Sequence, residues 1–113
     1  LDYAVFSPNN HPEQLRGFLA EDGWRVEREW MVQEERRFYP VLRAVRGSDA
    51  AYSEMERWFS RYLLQKPTPE FAEYLRYMQQ KQERILEQRR QSGASVEEPE
   101  RFLRLIAAAR EGI

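Results

Sequence analysis

The chain opens on an unbroken apolar run, Tyr3-Ala4-Val5-Phe6, closed by Ser7-Pro8-Asn9-Asn10. Such a run, β-branched and aromatic and without polar alternation, predicts a strand covered on both faces, the habit of parallel sheets. Helical spacing follows. Leu15, Phe18 and Leu19 recur at i, i+3, i+4, with Asn10 as a cap, Pro12 in the first turn and Gly23 as a left-handed stop. Trp24, Val26, Trp30 and Val32 are interleaved with Arg25, Glu27, Arg28 and Glu29, which predicts a strand with one wet face or an edge position. Glu34-Glu35-Arg36-Arg37 reads as a polar reversal, after which Phe38, Tyr39, Val41, Leu42, Ala44 and Val45 return as a more buried strand. The order is strand, helix, strand, strand, the last two joined as a hairpin.

The pattern changes after Gly47-Ser48-Asp49. From Tyr52 to Leu64 the apolar residues Met55, Trp58, Phe59, Tyr62 and Leu63 recur helically. Lys66-Pro67-Thr68-Pro69 stops that helix and starts another, with Thr68 as N-cap, Pro69 at the first position and Glu70 in the first turn. The new helix is expected to run to about Gln91, roughly 35 Å at 1.5 Å per residue. Phe71, Leu75, Met78, Gln82 and Ile85 mark a narrow seam of coiled-coil type. A turn at Ser92-Gly93-Ala94-Ser95 leads into a third helix from near Glu97, with Phe102, Ile106 and Ala109 in the same rhythm. The expected fold class is therefore mixed. Residues 1–47 form a strand-helix-strand-strand end of an α/β sheet, and residues 48–113 an all-α, coiled-coil-like antiparallel hairpin.

Composition narrows the chemistry. With 113 residues, 42% hydrophobic and 33% charged, the chain is a folded domain rather than a disordered tail. A net charge of -1 gives no general case for nucleic-acid binding, so such a case has to come from local clustering. There is no Cys, which excludes disulfides and thiolate metal sites and agrees with a reducing, cytoplasmic setting. His11 is the one histidine, so imidazole metal sites and Ser-His or Cys-His systems have almost no material. The five glycines, at 17, 23, 47, 93 and 112, stand too far apart for a phosphate-cradling loop. No apolar run approaches the roughly 20 residues that span a bilayer. A mid-sheet strand at the very start, without an initiator Met, suggests the C-terminal piece of a longer α/β protein. Alone, the chain does not read as a catalyst.

Two features remain as candidates. Ser7-Pro8-Asn9 leaves the carboxyl end of a buried strand, where ligands bind in open α/β sheets. Asn9 offers both donor and acceptor to a base edge or an amine, although turning the chain and capping the helix accounts for it on the residues alone. The long helix carries Arg76, Lys81, Arg84, Arg89 and Arg90 against Glu83 and Glu87. Arginine forks match phosphate oxygens, and Tyr74 and Tyr77 stand beside them to stack. On charge alone, a solvated helix face with ordinary i, i+4 pairs explains the same residues.

Taken in order, these stretches resemble the C-terminal part of the bacterial tRNA (adenine-N1)-methyltransferases of the TrmK family. The correspondence runs through Ser7-Pro8-Asn9 at the strand end, Leu15-Arg16 to Leu19, Gly23-Trp24, the acidic strand position Glu29, Glu34-Glu35, Phe38-Tyr39, and Phe71 with Leu75 at a helix start. Ser7 stands where the family usually has Gln, and Pro40 where it usually has Glu. In such sheets the last strand inserts between its neighbours, so Pro40 is expected to cause a bulge or irregular start. The resemblance implies S-adenosyl-L-methionine as cofactor, bound by an upstream half, with residues 1–47 closing that half's sheet. It implies Asn9 at the edge of the target-base pocket and tRNA contact through Arg76, Lys81, Arg84, Arg89 and Arg90. The partners implied are tRNA and the upstream half, with no membrane. The alternative is a helical protein–protein interaction module with no catalytic role.

Overall fold

The computed structural model describes residues 3–7 and 11–112. Strand β1 (Tyr3–Phe6) is followed by helix α1 (Pro12–Glu21) and by strands β2 (Trp24–Glu34) and β3 (Arg37–Arg46). Helices α2 (Glu54–Phe59), α3 (Arg61–Gln65), α4 (Pro69–Ser92) and α5 (Glu97–Glu111) complete the chain. The sheet order is β1-β3-β2, and β3 is antiparallel to both neighbours, so β1 and β2 run parallel with β3 inserted between them. The described partner of β1 is thus antiparallel, not the parallel neighbour that its apolar run suggests. Its outer side chains Tyr3 and Val5 are 48% and 58% exposed.

The hairpin closes with Glu34 opposite Arg37, through a tight turn in which Glu35 has φ 54. The ladder runs in register through Pro40, opposite Met31, and the irregularity lies elsewhere. Val26 pairs with Ala44 and Arg28 with Arg43, leaving Glu27 as an extra residue in a β-bulge. That extra residue changes which side chains face inward. Before the bulge the buried position is Val26; after it the buried positions are Glu29 and Met31 rather than Arg28, Trp30 and Val32. Strict alternation counted from Trp24 therefore assigns the second half of β2 to the wrong face, because a bulge shifts a period-2 pattern by one.

Leu19, Val26, Leu42 and Ala44 form one buried cluster, with α1 against the sheet. Helix α1 uses a different face from the one its apolar spacing predicts. Leu19 is fully buried and Leu15 partly so, but Phe18 is 57% exposed while Arg16 and Gly17 are buried. The residue at its N-cap position is His11, which makes no side-chain cap bond; Asn10 lies outside the described residues. The second cluster joins Met31 of the sheet to Phe59, Leu63, Phe71, Leu75, Ile106 and Ala109 of the helices.

The helix expected over Tyr52–Leu64 is broken in two. Ser60 has φ 80, is fully buried, and its hydroxyl accepts from the Tyr62 and Leu63 N–H groups at 3.2 and 3.3 Å. A serine that caps the next helix so closely ends the previous one, and apolar spacing alone does not register that stop. Thr68 caps α4 by accepting from Phe71 N at 3.1 Å, and Gly93, at φ 76, ends it. Along α4 the buried residues are Phe71, Leu75 and Leu86, with Ile85 only partly covered. The apolar line thus drifts by one residue from the 4, 3 rhythm, as a helix of 3.6 residues per turn drifts from a 3.5 repeat. Helix α5 returns beside α4, its Arg110 bonded to Gln79.

Candidate functional site

Because β1 and β2 are parallel, Ser7 and Glu34 leave the sheet at the same, carboxyl edge. Ligands bind outside that edge in open α/β sheets. Here the edge faces the flank of α4, and a cleft of about 420 Å³ lies between them. Its sheet wall is Ser7, Glu34, Arg36, Arg37, Phe38 and Tyr39. Tyr74, Tyr77, Met78 and Lys81 make the helix wall. At about 100° per residue, Tyr74, Tyr77, Lys81 and Arg84 fall within roughly 80° of arc, which runs from beside the buried face of α4 at Tyr74 round to its solvent side at Arg84.

The aromatic residues are fixed by one another. Phe38 lies 5.8 Å from Tyr74, edge to face, and 5.5 Å from Tyr77, tilted by 36°. Burial pushes the Tyr74 hydroxyl above its ordinary value, so it stays protonated as a donor. Tyr39 donates to Glu34 Oε2 at 3.0 Å, which raises the Tyr39 hydroxyl too. That bond takes one oxygen of the single carboxylate in the lining, while the side chains of Arg36, Arg37 and Lys81 form no ion pair or hydrogen bond among the described residues. The cleft is therefore cationic and aromatic. It suits a phosphate and a flat ring.

The helix cations expected to meet RNA separate. Lys81 lines the cleft, and Arg84 is exposed next to it on the same flank. Arg76 lies on the far side, 3.4 Å from Glu73. Arg89 turns toward the seam, its Nη1 donating to the Ser95 carbonyl at 3.1 Å, and Arg90 is exposed away from the cleft. Asn9 lies outside the described residues. Arg36 and Arg37, which read in the sequence as a plain reversal, complete the cleft instead. Their adjacency to a sheet edge was the available signal, but nothing local announces which helix they would face.

Two other ionic clusters are structural. Arg16 and Glu29 have side chains 1% and 0% exposed. Arg16 Nε lies 3.1 Å from Glu29 Oε1, Nη2 binds the same oxygen, and Nη1 donates to the Arg57 carbonyl at 2.6 Å. The pair ties α1, β2 and α2 together, with both side chains sealed from solvent. Arg61 binds Asp49 at 2.7 Å, Glu56 at 2.9 Å and the carbonyls of Ala50 and Ala51, fastening the 47–53 connection to α3. Among the described residues no group of His, Asp and Glu is arranged to hold a metal.

Known proteins give this geometry a context. No curated protein sequence matches the chain. Among solved structures, a protein of the NADB-Rossmann superfamily from Streptococcus agalactiae superposes with a TM-score of 0.87 at 23% identity, over 96% of this chain and 48% of its own. A candidate tRNA (m1A22) methyltransferase of Streptococcus pneumoniae, in complex with S-adenosyl-L-methionine, gives 0.84 at 21% identity, over 96% and 47%. The B. subtilis m1A22 tRNA methyltransferase TrmK gives 0.80 at 19% identity, over 95% and 50%. The chain thus spans about half the length of the structures it matches. Its sequence matches the family model of TrmK, tRNA (adenine(22)-N(1))-methyltransferase, over residues 1–109, and the chain belongs to that family.

Proposed function

We propose that this chain is the C-terminal part of an S-adenosyl-L-methionine-dependent methyltransferase that methylates N1 of an adenine in tRNA in the cytoplasm. In this reading, residues 1–47 complete a Rossmann-like sheet begun upstream, and that upstream half holds the cofactor. Residues 48–113 form a coiled-coil-like helical domain whose long helix contacts tRNA. The observation that carries the reaction is the family match across residues 1–109. The apolar outer face of β1, with Tyr3 and Val5 exposed, supports a sheet that continues into further layers. The cationic cleft at the carboxyl edge supports an anionic substrate there. Lys81 and Arg84 are the leading contacts to the tRNA backbone, since they share the flank of α4 that borders the cleft; Arg76, Arg89 and Arg90 face elsewhere.

The isolated chain should then neither bind S-adenosyl-L-methionine nor transfer a methyl group. In the full-length enzyme, Lys81→Ala with Arg84→Ala should weaken tRNA binding and flatten its salt dependence by about two counterions, leaving cofactor affinity unchanged. An unaltered tRNA affinity and salt slope in a folded double variant would return α4 to the role of a protein-interaction module.

A further inference from the structure

We propose that the cleft between the β2–β3 turn and α4 seats one unstacked nucleotide of a single-stranded RNA segment, its base against the Phe38–Tyr77 pair and its phosphate held by Arg36, Arg37 and Lys81. The inference rests on the tRNA reading above and adds a second wall to it, on the sheet rather than the helix.

The volume, about 420 Å³, lies at the lower end of the roughly 300–1,000 Å³ usual for ligand pockets. Three cations converge on it from two separate elements, and the one carboxylate in the lining, Glu34, already accepts a hydrogen bond from Tyr39. The three side chains are exposed and form no ion pair among the described residues, and two arginine forks beside one lysine match the oxygens of a phosphate. Tyr77 is 41% exposed although its ring packs on Phe38, so an aromatic surface stays open at the cleft. An exposed ring next to unpaired cations is the arrangement that stacks a base while its phosphate is neutralised. Duplex RNA does not fit so narrow a cleft by its bases, which remain stacked inside the helix; an unpaired or extruded nucleotide does.

The test uses the full-length enzyme with an unmodified tRNA transcript, titrated across a series of salt concentrations. Arg36→Ala with Arg37→Ala should lower affinity and flatten the salt slope by one to two counterions, counted at about one per lost phosphate contact. Tyr77→Ala should lower affinity on the order of tenfold with the slope unchanged, and Tyr77→Phe, which keeps the ring, should bind like wild type. Melting curves check that each variant folds, with Tyr77→Phe preserving the contact to Phe38. If Lys81→Ala with Arg84→Ala weakens binding while the turn pair and Tyr77→Ala both match wild type, the cleft assignment fails and the helix contact stands. If all variants match wild type, both fail. Loss in the turn pair and Tyr77→Ala with none in Arg84→Ala supports the cleft and removes Arg84 from the interface. Saturable binding of AMP alone, abolished by the same variants at an affinity equal to that for tRNA, would overturn RNA as the occupant.

Discussion

The Arg16–Glu29 pair gives the sharpest test of the fold. Both side chains are effectively sealed from water, and the guanidinium binds the carboxylate through Nε and Nη2 and the Arg57 carbonyl through Nη1. Glu29→Gln keeps the shape but removes the charge, leaving a buried guanidinium without its counterion. Breaking a buried pair in this way typically costs about 3–5 kcal/mol. Against a total stability of about 5–15 kcal/mol, that is enough to unfold a marginal domain. Replacing both partners, Arg16→Met with Glu29→Leu, removes the desolvation penalty as well as the attraction and should recover most of the loss. The recovery stays incomplete because the Arg57 carbonyl loses its donor, a cost of about 1–3 kcal/mol if it remains buried. Equilibrium urea unfolding of the four corners of this cycle, in the full-length protein, measures each step. Salt distinguishes the pair from a surface bridge, since a sealed pair is barely screened at 1 M NaCl. A Glu29→Gln cost below about 1 kcal/mol, or one that disappears in high salt, would refute the argument that the pair is dry and coupled.

Other expectations follow from single contacts. Leu75→Ala, at a fully buried position, should cost roughly 2–5 kcal/mol, and Arg84→Ala should leave denaturant melts nearly unchanged. Leu86→Ala should cost more than Ile85→Ala; the reverse order would mean that the α4 seam keeps the strict heptad phase. Thr68→Ala removes the α4 cap and should lower stability by about 1 kcal/mol in the same melts. The Ser53 N–H bond, and then Arg61, hold the Glu56 carboxyl below the usual carboxylate range. A depressed folded-state value stabilises the fold above the unfolded value, roughly pH 4.3, and the gain is lost as pH falls through the folded value. Glu56→Gln should therefore weaken the fold at neutral pH and reduce its acid sensitivity; an unchanged pH profile would show that the capping bond carries no such linkage.

What was legible in the sequence is what local signals encode. Thr68-Pro69 and Gly93 bracket α4 because caps act within four residues of the backbone groups they satisfy. The β2–β3 hairpin follows from two apolar runs around a charged reversal. Three features were not legible, each for a physical reason. The bulge at Glu27 moves Glu29 inward without leaving a compositional trace, and so hides the ion pair with Arg16. Arg16 itself counts as a surface residue in any hydropathy pattern, while Phe18, which the pattern buries, points outward. Ser60 breaks a helix that periodicity joins. The candidate site divides the same way: Lys81, Tyr74 and Tyr77 were visible as a basic, aromatic helix face, but Arg36 and Arg37 became part of it only through tertiary contact.

The insertion of β3 between β1 and β2 bears on the order in which the chain can fold. The β2–β3 hairpin joins residues close in sequence and can zip from its turn at little loop-closure cost. β1 has no described partner except β3, and its pairs, from Phe6 with Leu42 to Tyr3 with Val45, span about forty residues. During synthesis, β1 emerges long before β3, its described partner, exists. With only four residue pairs, the β1–β3 ladder is the late and shallow step among these three strands, and its amides should exchange with solvent before those of the hairpin. Of the cleft lining, only Ser7 depends on that step; the β2–β3 turn and α4 supply the rest.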